Sequence, residues 1–302
     1  MKKYRIYQVN SFTQECFRGN PAGVVLNAQG LTEEQMRQIA RELNNSETAF
    51  VFPPEDEDHD VVIRFFTPKT EVPICGHATI AVHYVRAAVG EIGPGRTIQK
   101  TKAGIFPVDV TLQGGGYAVT MTQGKPEIGP PLKIEVVEQI AAALGISVED
   151  IRADCPVSIA STGHAKVMVG ITSTELLHHL TPDMGKLSAL GSEIGCNGYY
   201  VFTLNPQEDY FVHGRMFSPA IGAAEDPVTG NANGPLGAYM VHYNICQDKT
   251  QLDSFDFDII QGEAIGRAGT MHVHIKKQNG APISAQITGT AVIVFSTEIA
   301  LP

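Results

Sequence analysis

Two short runs of this chain set ionisable side chains against backbone that starts a helix. Glu71-Val72-Pro73-Ile74-Cys75-Gly76-His77-Ala78 and Glu225-Asp226-Pro227-Val228-Thr229-Gly230-Asn231-Ala232 both fit Glu-x-Pro-x-x-Gly-x-Ala. A turn of this type that opens a helix leaves N–H groups unpaired and a partial positive charge at the helix start, which favours an anion. Two such starts facing one cleft would hold a carboxylate and a developing enolate-like oxyanion with neither metal nor cofactor. Glu47, His77 and Asp226 would add two carboxylates and an imidazole, the equipment of proton transfer.

The echo extends upstream of the two runs. Arg64-Phe65-Phe66-Thr67-Pro68 precedes the first and Arg215-Met216-Phe217-Ser218-Pro219 the second, and Glu47–Phe52 aligns with Asn197–Phe202. A repeat of about half the chain marks two related domains rather than a solenoid. Matching the halves sets Glu47 opposite Asn197, Val72 opposite Asp226, Cys75 opposite Thr229 and His77 opposite Asn231. The ionisable groups are therefore unevenly shared, which a purely structural repeat does not require. Each has a structural reading when taken alone. Glu47 can cap the Asn44-Asn45-Ser46 turn, His77 can bond backbone, Asp226 can start a turn before Pro227, and Cys75 can be inert packing. The small residues can serve only to bury the helix. Placed together by the repeat, they point to function.

The elements that would carry these residues are readable from periodicity. Residues 4–9 alternate as a half-buried strand does, and 22–26 form an apolar strand. Thr32 and Gln35 make a capping box, with Leu31 stapling onto Met36, for a helix running to about Leu43. Strands follow at 48–52 and 61–66, then a helix opened by Gly76, then strands near 97–101, 105–112 and 117–122, with Gly114–Gly116 as a hairpin turn. The acidic stretch 55–60 reads as a solvated tip. Residues 124–131 are rich in breakers and form the best linker. Beyond it come helices near 135–144, 173–180 and 183–192. Strands are expected near 157–161, 166–171, 199–204, 209–217, 271–276, 284–288 and 291–296. The reading gives a first domain over 1–123, completed by about 288–302, and a second over 124–287.

Composition bounds the rest. The 302 residues suit two domains of about 150 each. A formal charge of −10 disfavours nucleic acid or an anionic membrane as partner. Cys16, Cys75, Cys155, Cys196 and Cys246 are odd in number and widely spaced, which indicates neither a disulfide framework nor a zinc cluster. The start turns polar too often for a signal peptide, so the chain reads as cytoplasmic, with reduced thiols. The adjacent His178 and His179 point to different faces. His272 and His274 share a strand face without a third ligand in view, and no metal site is expected.

Ser46-Glu47-Thr48-Ala49-Phe50, Cys75-Gly76-His77-Ala78-Thr79, Glu225-Asp226-Pro227-Val228-Thr229-Gly230 and Phe17-Arg18-Gly19-Asn20-Pro21 together resemble the PhzF, phenazine-biosynthesis-type, isomerase family over essentially the whole chain. The chain looks more like the uncharacterised bacterial branch than the phenazine enzyme itself. The resemblance implies an α+β, diaminopimelate-epimerase-like fold. In it, two pseudo-symmetric domains each wrap mixed sheet around a central helix, with the active site between them. It also implies a homodimer, no cofactor and a small-molecule substrate. In the phenazine enzyme, a Glu at the Glu47 position moves a proton between carbons of dihydrohydroxyanthranilate, assisted by residues matching His77 and Asp226. Carried over, the resemblance assigns substrate binding to Asn20, Ser46, Cys75, Gly76, Ala78, Thr229, Gly230 and Asn231. One departure bears on substrate identity: where the phenazine enzyme has a serine, this chain has Asn231. The fold relatives that epimerise use a cysteine from each half. Thr229 stands at the second position here, and a hydroxyl of far higher pKa cannot replace a thiol as base. A one-sided dehydratase using Cys75 and a non-catalytic binding protein on the same scaffold are the alternatives.

Overall fold

Apolar residues alternate along the first strand and run together at the start of the last, and the fold pairs those two ends. In the computed structural model the described residues are 1–196, 198–205, 211–219, 223–245 and 253–301. Asn197, Cys246 and the start of the strand expected from 209 lie outside them. The chain falls into two compact units, 1–122 with 288–302, and 123–287.

In the first unit, β1 (Lys2–Ser11) runs antiparallel to the terminal strand Ala291–Leu301, with Lys2 opposite Leu301 and Ser11 opposite Ala291. On its other side β1 pairs with β2 (Asn20–Val25), which lies parallel to β3 (Glu47–Phe52) with Ala22 opposite Glu47. The crossover between β2 and β3 is α1 (Glu33–Leu43), and its start carries the expected box: Gln35 N–H donates to Thr32 Oγ1 and Thr32 N–H to Gln35 Oε1. It stops at Asn44 in the left-handed region, φ 52°. Met36, Ile39 and Ala40 pack on Tyr4, Ile6, Phe50 and Phe66. Then come β4 (Val61–Phe66), β5 (Glu71–Val72), α2 (Gly76–Ala88), β6 (Gly95–Thr101), β7 (Gly104–Gln113) and β8 (Gly116–Thr122). Gly114 and Gly115, at φ 58° and 79°, make the β7–β8 turn, and two positive φ values in a two-residue loop suit glycine. α2 is apolar and small on nearly all sides, so it can be buried all round. It packs against β1, β2, β3, β7 and β8.

The second unit repeats the plan. It contains β9 (Glu127–Pro131), α3 (Ile134–Leu144), β10 (Ser158–Ser161), β11 (Lys166–Gly170), α4 (Thr174–His179), α5 (Met184–Ile194), β12 (Tyr199–Leu204), β13 (Val212–Ser218), β14 (Ala223–Asp226), α6 (Gly230–His242), β15 (Ser254–Gln261), β16 (Gly269–Gln278) and all but the last two residues of β17 (Ala281–Gly289); β18 is the terminal strand Ala291–Leu301. Here α6 is the buried helix and packs against β9, β10, β11, β15 and β16. The outer helices α3, α4 and α5 cover the other face, where Ile140, Leu144, Leu177 and Leu187 meet Val167, Val169, Tyr199 and Val201. The fold is α+β, as expected.

Local departures have local causes. Glu127–Pro131, read as linker, is strand β9, because β10 offers a partner and an irregular register accommodates Pro130 and Pro131. β15 was not foreseen, although Phe255, Phe257 and Ile259 alternate along it and are buried. The acidic tip at 55–60 is not all solvated. His59 is buried, and its ring holds Asp58 Oδ1 and the Glu55 N–H.

The glutamates that open the two repeated runs are structural. Glu71 accepts from Arg64 Nε and Nη2 at 2.8 and 3.0 Å. Glu225 accepts from Arg215 Nε and Nη2 at 3.0 and 2.7 Å. Each guanidinium also lies over a ring of its own strand, Phe66 or Phe217, at 5.1 and 4.9 Å. A bidentate pair plus stacking needs arginine in particular, which explains the upstream Arg-x-Phe in both copies.

Candidate functional site

The first group of reactive side chains is built by the β3 start and the α2 start. Cys75 is the N-cap of α2, with no side-chain cap bond. Helix geometry then turns His77 back toward β3, where Ser46 and Glu47 begin the strand. His77 Nε2 lies 3.5 Å from Glu47 Oε2 and 3.4 Å from Ser46 Oγ. Cys75 Sγ lies 3.4 Å from His77 Nδ1. The Ser11 hydroxyl donates to the His77 carbonyl at 2.7 Å, and Asn20 sits opposite Ser11 in the β1–β2 register. His77 is 7% and Cys75 8% exposed; the Glu47 side chain, at 21%, stays reachable. A carboxylate and an imidazole at this separation can share a proton, and such contacts tighten when substrate arrives. Glu47, Cys75 and His77 also present donor atoms within 4.8 Å of one another, a set able to hold a transition metal.

The second group is in the other unit, at the turn between β14 and α6. The Thr229 hydroxyl donates to Asp226 Oδ2. Gln261 grips the turn from β15: its Nε2 donates to the Asp226 carbonyl at 2.8 Å, and its Oε1 accepts from Thr229 N–H at 3.1 Å. Asn233 Nδ2 bonds the same Oε1 at 3.0 Å, and the Tyr200 hydroxyl donates to Asn233 Oδ1 at 2.6 Å. The chain Tyr200–Asn233–Gln261–Thr229–Asp226 is a buried, mutually satisfied network of the kind that locks one geometry.

The two motif glycines differ. A Cβ on Gly230 would lie 2.3 Å from Ile287 Cδ1, so packing demands glycine there. A Cβ on Gly76 would meet only Met121 Sδ at 3.7 Å, an ordinary contact. Neither has a positive φ, so the unusual backbone that a glycine would permit is not used. Ala78 is fully buried, and Asn231 Oδ1 is buried without a hydrogen-bond partner among the described residues.

Sequence reading overlooked Lys166. It opens β11, is 7% exposed, and its amine donates to the Ala165 carbonyl at 3.1 Å. Burial, the largest influence, pushes its pKa down, while Cys196 and Asp226 act to raise it. The Lys166 charge in turn adds to burial in lowering the pKa of His164. The one sequence signal was a lysine at the head of the otherwise apolar Val167-Met168-Val169. Gln261 and Asn233 gave none: Asn233 lies one helical turn beyond Thr229, and only folding brings Gln261 to both.

The model of the PhzC-PhzF family, phenazine biosynthesis-like proteins, matches residues 9–297. An uncharacterized isomerase of Clostridium acetobutylicum is 51% identical, covering 100% of this chain and 99% of its own. The trans-2,3-dihydro-3-hydroxyanthranilate isomerase of Pseudomonas aeruginosa is 28% identical, covering 95% of each chain. The crystal structure of a PhzF-family phenazine biosynthesis protein from Bacillus anthracis superposes with a TM-score of 0.90 at 31% identity, over 100% of both chains. No helix among the described residues is long and apolar enough to cross a membrane.

Proposed function

Because the chain belongs to the PhzC-PhzF family of phenazine biosynthesis-like proteins, whose relatives here are named isomerases, we propose that it moves a proton between carbons of a small, carboxylate-bearing substrate by acid–base catalysis. Glu47 takes the proton from one carbon and returns it to another. His77 orients and shuttles, and Asp226 is the third member of the set. Substrate and product are at one oxidation level, so the reaction as proposed calls for no cofactor. The backbone N–H groups at Gly76 and Gly230 bind anionic oxygens, and Asn20, Ser46, Ala78, Thr229 and Asn231 complete the binding set. The protein is proposed to act as a homodimer in the cytoplasm.

The observation that carries this reading is the 3.5 Å approach of His77 Nε2 to the Glu47 carboxylate beside a helix start where a substituent on Gly76 would meet only Met121 Sδ, at 3.7 Å. Asn231 supports it. A buried carbonyl oxygen without a donor is costly, and a ligand N–H or O–H would satisfy it.

One contact favours a second reading. Cys75 Sγ lies 3.4 Å from His77 Nδ1, close enough for the imidazole to take the thiol proton, so a Cys75-dependent dehydratase or epimerase is the rival. Both are tested by incubating the protein in deuterated water with small unsaturated and cyclic amino and hydroxy acids, trans-2,3-dihydro-3-hydroxyanthranilate included, and following label by NMR. Glu47→Gln is expected to cut exchange by about 10²-fold or more, the usual worth of a positioned acid–base group, while Cys75→Ser retains it. The reverse pattern would establish the thiol mechanism. Ligand binding without exchange in the wild type would point to a binding protein instead.

A further inference from the structure

Three side chains that this reaction leaves idle converge on one point of the second unit. His213 of β13 places Nδ1 2.8 Å from Glu263 Oε2. His178, in the last turn of α4, places Nε2 3.2 Å from the same oxygen. All three donor atoms lie within 4.8 Å of one another. Ligand atoms about 2.0–2.2 Å from a tetrahedral zinc ion sit roughly 3.3 Å apart. The His178–Glu263 edge already has that length, and the His213–Glu263 edge has to open by only about half an ångström to reach it.

Two of the three donors are held from behind. Arg215 Nη1 donates to the carbonyls of Leu177, His178 and Leu180 at 3.0, 3.4 and 3.0 Å, which fixes the end of α4. The charge of Arg215 is matched by Glu225. Glu263 begins a 3-10 turn, Glu263–Ile265, bracketed by Gly262 and Gly266 at φ 87° and 68°. A Cβ on Gly262 would stand 2.5 Å from the Arg267 carbonyl and 2.7 Å from that of Pro227, so the turn accepts no other residue. The His213 side chain is 6% exposed, whereas those of His178 and Glu263 are 33% and 25% exposed. That leaves a solvent-facing side for a water ligand.

We infer that His178, His213 and Glu263 form a binding site for a divalent transition-metal ion of the zinc class, with the fourth position open to water. Two imidazole nitrogens and one carboxylate suit Zn(II), Co(II) or Ni(II) and are a poor match for Mg(II) or Ca(II). The ion joins α4, β13 and the turn after β15. Glu263 is two residues beyond Gln261, which holds Asp226 and Thr229, so the ion acts as a brace on that network.

The test uses the full chain, stripped with chelator and titrated with Co(II), followed by competition with Zn(II). The expected result is one ion per chain, with visible d–d bands of nitrogen and oxygen ligation and no thiolate charge-transfer band. His178→Gln and Glu263→Gln, both at partly exposed side chains, should each weaken binding by about tenfold or more. Zn(II) should raise the thermal midpoint of wild type but not of either variant, and equal midpoints without metal would show that the variants fold. Absence of binding, or equal affinity in wild type and both variants, overturns the proposal. So does a charge-transfer band that disappears in Cys75→Ser, because the ion would then sit at Glu47, Cys75 and His77.

Discussion

At the scale of single residues, the site is a matter of what each atom is left free to do. Gly76 separates a structural role from a ligand-binding one. Its substituent would meet only Met121 Sδ at 3.7 Å, and alanine is the better helix former. Gly76→Ala should therefore keep or slightly raise the unfolding midpoint while lowering kcat/KM or ligand affinity by tenfold or more. Loss of stability with activity intact would return this glycine to a packing role. Glu47, His77 and Cys75 were legible as candidates because the repeat set them beside unlike counterparts. Their mutual distances were not legible, because sequence spacing does not say which way a helix start turns its side chains.

At the scale of elements, the repeated Arg and Glu brace each hairpin, and the two braces are expected to be unequal. The Arg215 and Glu225 side chains are 9% and 8% exposed, against 31% and 11% for Arg64 and Glu71. Breaking a buried pair from one side strands a charge and costs about 3–5 kcal/mol, whereas a partly exposed pair contributes nearer 1 kcal/mol. Denaturant titration should thus find Arg215→Met far more damaging than Arg64→Met. Similar losses would mean that the repeat stabilises both units alike. Elements with their own signals were readable: α1 through Thr32 and Gln35, and the β7–β8 turn through Gly114 and Gly115. β9 was missed because Pro130 and Pro131 argue against a strand, and pairing with β10 overrides that preference.

At the scale of the whole molecule, folding stability carries a titration from the centre of α2. His83 is fully buried, with Nε2 3.0 Å from Gln99 Oε1, and burial lowers its pKa from 6.5 to about 4. The unfolded chain therefore binds a proton that the folded chain refuses between these values. Stability is fully present above pH 6.5, falls as the pH drops toward 4, and levels off below it. The loss amounts to about 3 kcal/mol. His83→Gln should flatten that part of the wild-type profile of unfolding free energy against pH; parallel profiles would show that His83 is not the group responsible.

The sequence by itself determined the α+β class, the family and the repeat, and it nominated Glu47, His77 and Asp226 for acid–base chemistry, because these follow from residue types, local periodicity and turn chemistry. Tertiary structure alone decided that Gln261 holds Asn233, Asp226 and Thr229, that Lys166 is buried, and that His178 and His213 meet at Glu263. Those contacts join residues 28 to 85 positions apart, and such pairing is selected by the packing of strands around a buried helix, which no local pattern encodes.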